Sequence, residues 1–90
     1  MNYTLKPNLL LQAVAGETVI LDPDSGSYFT LDEVGSRMLE RYRETGSLEG
    51  SVALLLEEYD TDAETLREDL EALLRAMEGQ GLVERTAGEP

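Results

Sequence analysis

The sequence predicts a small α+β domain in which three antiparallel strands precede three helices. From residue 9 to residue 31, apolar and β-branched segments alternate with turn residues, and from Asp32 onward the apolar residues recur with helical spacing. A chain of 90 residues has the usual length of one domain. We therefore expect a single domain over residues 1–90, with its core within about residues 9–83.

The three predicted strands are joined by short turns. The first covers residues 9–14 and reaches the second, at residues 17–21, through the pair Ala15-Gly16. The turn at residues 22–26 then leads to the third strand, Ser27–Leu31, because its proline presets the first turn position and its glycine adopts positive φ. A third strand that returns beside the second keeps one edge without a partner.

Each predicted helix begins at a residue that can cap it. Asp32 precedes the first helix, which ends near Gly46, and Ser47 precedes the second. Thr61 with Glu64 has the form of a capping box and opens the third helix. We place the centre of the third apolar stripe at Leu66, Leu73 and Met77, with Ala63, Leu70 and Leu74 on one flank and Asp69 on the other.

Composition excludes several classes of function. A net charge of −12 disfavours nucleic acid and anionic membranes and favours a cationic partner, with most of the charge in the helical half, at −9 over residues 46–90. No apolar run approaches the roughly 20 residues of a membrane span, and the absence of Cys fits a cytoplasmic protein.

No catalytic or metal constellation stands out in the sequence. The chain has neither His nor Cys, and its carboxylates lie mostly on the polar faces of the predicted helices, so we expect no enzyme activity, no metal site and no cofactor. The turn at residues 22–26 together with Glu33 matches the first, third and twelfth positions of a calcium loop, but it lacks a carboxylate or Asn at the fifth position and the glycine at the sixth. We interpret that segment as a hairpin turn.

Two elements could bind a partner. The third strand carries Tyr28 and Phe29 side by side, so one ring faces the core and the other faces away. If the third helix lies beside the open edge of this strand, the two elements form a groove for an extended peptide that is added as a further strand.

The sequence also resembles a known family. The segment LDPDSGSYFTLDEVG at residues 21–35, the segment LLEEYD at residues 55–60 and the closing EGQGLV at residues 78–83 resemble the PqqD-like peptide-recognition proteins, the RiPP recognition elements. The resemblance covers about residues 9–83. It departs mildly at Asp32, where the family more often has Asn, and after Arg37, where the family more often has a large apolar residue and this chain has Met38.

The resemblance implies a winged-helix-like fold that binds the leader segment of a ribosomally made precursor peptide, without catalysis. The leader is expected to pair with the third strand and to pack against the third helix. Carried onto this chain, the implied peptide contacts are Ser27, Tyr28, Phe29, Thr30, Leu66, Asp69, Leu70, Leu73, Leu74 and Met77.

A free-standing acidic chain of this length looks most like the leader-binding partner in split lasso-peptide systems. The expected partners are then a basic leader peptide and a separate cysteine-type leader peptidase. Two alternatives remain open: a PqqD-type peptide chaperone that serves a radical enzyme, and an interaction subunit that dimerises through its strand edge.

Overall fold

The computed structural model describes residues 2–86 and consists of five strands and three helices. The strands are β1 (Asn2–Leu5), β2 (Leu10–Val14), β3 (Glu17–Asp22), β4 (Ser27–Leu31) and β5 (Val83–Thr86). The helices are α1 (Glu33–Thr45), α2 (Leu48–Leu56) and α3 (Ala63–Gly79). The predicted α+β class, with a three-stranded antiparallel sheet and three helices, is confirmed.

Strands β2, β3 and β4 form the predicted meander. Their order in the sheet is β2-β3-β4, and β2 meets β3 through a two-residue turn that joins Val14 to Glu17. Both turn residues have positive φ, 54° at Ala15 and 85° at Gly16. Positive φ at both central residues is typical of the type I′ turn, whose twist matches that of the two hairpin strands. The turn between β3 and β4 closes with a hydrogen bond from the Gly26 N–H to the Asp22 carbonyl at 2.8 Å.

The helix boundaries follow their capping residues. Asp32 accepts a hydrogen bond from the Gly35 N–H at 2.8 Å, and Ser47 accepts one from the Gly50 N–H at 2.9 Å, as predicted. Gly46 ends α1 in the left-handed conformation, at φ 71°.

The predicted cap of α3 is wrong by one residue. The N-cap is Asp62, whose carboxylate accepts a hydrogen bond from the Thr65 N–H at 2.8 Å. A carboxylate at this position also interacts favourably with the positive end of the helix. The uncharged hydroxyl of Thr61 lacks this interaction.

A second small sheet joins the two ends of the described chain. β1 pairs antiparallel with β5 in a register that sets Tyr3 opposite Arg85 and Leu5 opposite Val83. The Tyr42 hydroxyl of α1 fixes β1, because it accepts a hydrogen bond from the Tyr3 N–H at 2.8 Å and donates one to the Tyr3 carbonyl at 3.0 Å. The predicted strands begin at residue 9, so β1 was not predicted.

The core consists of two packed clusters. The first lies among the helices and contains Met38, Tyr42, Val52, Leu55, Leu66, Leu70 and Leu74. The second lies between the sheet and the end of α3 and contains Ile20, Leu31, Leu39, Met77, Leu82 and Val83. Tyr3 and Leu73 pack against both clusters, which joins the helical half to the sheet. None of the helices within residues 2–86 is long and apolar enough to span a membrane.

Candidate peptide-binding site

The free edge of β4 is the first component of the candidate site. β4 pairs with β3 along its whole length, from Ser27 opposite Asp22 to Leu31 opposite Thr18, and no other strand within residues 2–86 pairs with it. In a strand with one partner, alternate residues direct their N–H and C=O groups away from that partner. The edge therefore offers donors and acceptors in the repeat that an added strand requires.

The side chains of β4 alternate as the sequence predicted. Phe29 is partly buried and packs against the cluster that contains Ile20 and Met77, whereas Tyr28 points away from the core with 68% of its surface exposed. Leu31 completes the inner row and is buried. The edge thus has one aromatic ring directed at the core side and one directed at solvent.

Helix α3 meets β4 through the sheet-side cluster. Met77 is fully buried in it, and Leu73, one turn earlier on α3, packs against the same cluster while remaining partly exposed. Phe29 of β4 also packs against this cluster and is also partly exposed. Phe29 and Leu73 are therefore partly accessible apolar side chains that pack against the same cluster.

Four of the predicted contacts on α3 belong to the core, where Leu66 and Met77 were expected at the centre of the apolar stripe. Leu66, Leu70, Leu74 and Met77 are all buried, with Leu70, Leu74 and Met77 at 0% exposure. The prediction that Leu74 lies at an accessible margin while Leu73 lies at the centre of the stripe is wrong. Leu74 packs into the cluster formed with α1 and α2, and Leu73, which packs against both clusters, is the more exposed of the two.

Asp69 is exposed, as its place at the edge of the stripe predicted. It lies one turn before Leu73, on the side of α3 that Leu73 also occupies. Within the described part of the chain Asp69 forms no ion pair, whereas Glu78 pairs with Arg85 at 2.8 Å. Its carboxylate is available to a cationic or hydrogen-bonding group.

Two ion-pair arrangements stabilise the helices around the site. Glu58, just after α2, contacts Arg37 and Arg41 of α1 at 2.8 Å each. Partial burial raises the pKa of Glu58, but hydrogen bonds and charge interactions with the two guanidinium groups outweigh it and hold that pKa below its ordinary value. Glu49 of α2 pairs with Arg67 of α3, and the hydrogen bond from Arg67 is the main cause of a lowered pKa at Glu49.

A groove lies on another flank of α3. It has a volume of about 490 Å³ and is lined by Tyr3, Tyr42, Ser47, Leu48, Glu49, Arg67, Glu71, Leu74, Arg75 and Arg85. Of the predicted site residues it includes only Leu74. We favour the β4 edge over this groove as the peptide site because strand addition uses backbone groups on an edge and does not need a preformed cavity.

With the geometry defined, the family can be assigned. Residues 17–83 match the family described as Coenzyme PQQ synthesis protein D (PqqD). This chain belongs to the PqqD family. The match spans β3 to the start of β5 and so includes the β4 edge and the whole of α3.

Solved structures with the PqqD fold are similar over nearly the whole chain. One is described as TbiB1 in complex with the TbiA(beta) leader peptide; it is 32% identical, covers 94% of this chain and 99% of that chain, and superimposes with a TM-score of 0.85. Another is described as lasso peptide synthetase B1 complexed with the leader peptide, at 21% identity, 94% and 100% coverage and a TM-score of 0.83, a likeness that shows the fold alone. No curated protein matches the sequence significantly.

Proposed function

We propose that this chain binds the leader segment of a ribosomally synthesised precursor peptide, without catalysis, and presents it to a separate maturation enzyme. The observation that carries the proposal is the free β4 edge, whose partly exposed Phe29 packs against the same core cluster as the partly exposed Leu73 of α3. Membership of the PqqD family and the likeness to TbiB1, whose structure contains a leader peptide, support it.

In this proposal the leader lies along β4 as a fourth strand. Ser27, Tyr28, Phe29 and Thr30 supply the backbone groups, which bind with little demand on sequence. An apolar leader side chain directed at the core side contacts Phe29 and Leu73, and Asp69 receives a basic or hydrogen-bonding group. Leu66, Leu70, Leu74 and Met77 are buried and hold α3 against the core.

We also propose which biosynthetic system the chain serves. A lasso-peptide precursor with a basic leader suits the charge of −12, and the enzyme served is then a separate cysteine-type leader peptidase in the cytoplasm. A PqqD-type chaperone that delivers its peptide to a radical enzyme would use the same edge, and the enzyme encoded beside the chain distinguishes the two.

The test uses proline to remove one backbone donor at a time. Consecutive N–H groups point to opposite edges of a strand, so one of the two single variants Phe29→Pro and Thr30→Pro removes a donor from the free edge and the other breaks pairing with β3. We expect the variant that keeps the parent circular dichroism spectrum to bind a labelled synthetic leader about tenfold or more weakly.

The matched control is the opposite edge of the same sheet. Gln12→Pro and Ala13→Pro probe β2 in the same way, and the folded member of that pair should bind the leader normally. Normal leader binding by a folded Phe29→Pro or Thr30→Pro variant that lacks an outward donor would exclude strand addition at β4. If light scattering shows a dimer that the leader dissociates, the edge serves self-association in the free protein.

A further inference from the structure

The second edge of the three-stranded sheet, along β2, is also free. Within residues 2–86, β2 pairs only with β3, and it ends the strand order β2-β3-β4. Its sequence, LLQAV, contains neither a charged residue nor a proline. Proteins commonly protect an edge strand against pairing with charges or prolines. Because β2 has neither, its edge is open to a further strand.

The hairpin turn determines which backbone groups of β2 face this edge. A two-residue turn is closed by a hydrogen-bonded pair, here Val14 with Glu17, and bonded pairs alternate with non-bonded pairs along an antiparallel ladder. Leu11 and Ala13 belong to the non-bonded pairs, so their N–H and C=O groups are directed away from β3. The free edge therefore offers backbone donors and acceptors at two alternate residues.

A groove of about 380 Å³ lies between this edge and α1. Leu11 and Ala13 line it from the sheet, on the face that Leu11 shares with the buried Ile20, and Ala13 is nevertheless exposed. An added strand lies about 4.8 Å from β2, and its side chains opposite Leu11 and Ala13 project from that same face. Alternate side chains of the added strand would therefore enter the groove and meet α1.

The α1 wall of this groove is basic, although the chain as a whole has a charge of −12. Two guanidinium groups, those of Arg37 and Arg43, line it against one carboxylate, that of Glu40. Arg37 forms ion pairs with Glu40 and Glu58, whereas Arg43 is exposed and forms no ion pair within the described part of the chain. The guanidinium group of Arg43 is therefore available to a carboxylate of another molecule.

We propose that the β2 edge binds an extended acidic segment of a partner protein, which is added to the sheet as a strand and places a carboxylate on Arg43. The edge selects an extended backbone, and the basic wall selects acidic side chains at alternate positions. A second copy of the chain fits less well, because its own β2 has no acidic side chain and both copies carry a charge of −12. Since β2 and β4 are opposite edges, the inference does not depend on the proposed leader binding.

The test uses a fluorescein-labelled peptide in which Glu alternates with the strand-forming residue Thr over about six residues. Its control has Gln in place of each Glu. The field of the whole chain repels an anionic peptide, so saturable anisotropy with the Glu peptide reports a local basic site. We expect the Glu peptide to bind the parent protein at least about tenfold more tightly than the Gln peptide, and to bind more weakly as salt is added.

Two variants separate the charge from the backbone. Arg43→Gln removes the free guanidinium group, and Ala13→Pro removes an outward N–H from the edge, so each should weaken binding of the Glu peptide about tenfold. The matched control is Arg75→Gln, which removes an exposed arginine of α3 that also forms no ion pair within residues 2–86 and should leave binding unchanged. Circular dichroism checks the fold, and Arg43→Gln decides alone if Ala13→Pro does not fold.

Three results would overturn the proposal. The first is a Glu peptide that does not bind the parent protein, or that binds Arg43→Gln equally well. The second is displacement of the Glu peptide by the leader, which would place both peptides on β4. The third is a parent dimer in sedimentation that Ala13→Pro dissociates, which would assign the β2 edge to self-association.

Discussion

Adjacent leucines on α3 have different environments and should separate folding from binding. Leu74 is fully buried, so Leu74→Ala leaves a cavity in the helical cluster and should cost roughly 2 to 5 kcal/mol of unfolding free energy. Leu73 is partly exposed and packs against the same cluster as Phe29, so Leu73→Ala should destabilise less but weaken leader binding by roughly 1 to 3 kcal/mol. Urea titration and leader anisotropy measure the two quantities. Equal effects of both variants on leader affinity would contradict this division.

A strained turn residue offers a stabilising substitution. Ala15 has a φ of 54°, a region that costs an L-residue with a simple side chain about 1 to 2 kcal/mol and that Asn tolerates better. Ala15→Asn creates the Asn-Gly pair that two-residue hairpins prefer and should raise the unfolding free energy by roughly 0.5 to 1 kcal/mol. Thermal unfolding measures the gain. The reverse control is Gly16→Ala, which should destabilise because the residue has a φ of 85° and its new Cβ would approach Glu33 Oε2 at 2.8 Å.

At the scale of the secondary-structure elements, Glu58 links the end of α2 to α1 through its ion pairs with Arg37 and Arg41. We expect this link to weaken at acid pH. The folded-state pKa of Glu58 is lowered, so the link stabilises the fold above the unfolded pKa of about 4.3 and is lost as the pH falls through the lower folded value. Stability should therefore decrease below about pH 5. Glu58→Gln should reduce stability at neutral pH by roughly 1 kcal/mol or less and should flatten this acid dependence.

The comparison with Glu58→Gln is needed because protonation of the other carboxylates stabilises the fold at acid pH. Protonation of the many unpaired carboxylates relieves the repulsion within a chain of charge −12 and favours the compact state. The difference between parent and Glu58→Gln in urea unfolding from about pH 3 to pH 7 isolates the link. A difference that does not change with pH would contradict the assigned role.

Local signals made most elements predictable, whereas long-range packing decided the rest. The Ala15-Gly16 turn and the caps Asp32 and Ser47 act within a few residues, so the sequence reveals them. The β1–β5 pair joins opposite ends of the described chain. Its one local signal is weak, because it consists only of two apolar residues at alternate positions, Tyr3 and Leu5.

The orientation of α3 was ambiguous for a similar reason. Leu70, Leu73 and Leu74 give the helix a wide apolar stripe, so its centre is poorly defined by spacing. Only the packing of Leu70 and Leu74 against α1 and α2 decides which flank faces outward. The alternation of β4 was predictable from pattern alone, because adjacent residues of a strand point to opposite faces and only one of Tyr28 and Phe29 can face the core.

For the molecule as a whole, the negative field should control how fast a leader arrives. A basic leader is attracted over about 10 Å at 0.1 M salt and over a shorter distance as salt is added. Stopped-flow association should thus slow several-fold between about 0.05 and 0.5 M NaCl, with little change in dissociation. Glu64→Gln with Glu68→Gln, two exposed positions of α3, should reduce this dependence. An association rate that does not change with salt would show that apolar contacts dominate and that the acidity serves solubility.

The pairing of β1 with β5 also determines how the domain can be joined to other proteins. Asn2 lies opposite Thr86, so the entry and exit of the described chain are neighbours, and neither belongs to the three-stranded sheet. A unit whose two ends meet can be inserted into a loop of a larger polypeptide, or connected head to tail by a short linker and opened elsewhere, without separating its strands. The same architecture is therefore suited to serve either as an independent protein or as a portable recognition module within a multidomain enzyme.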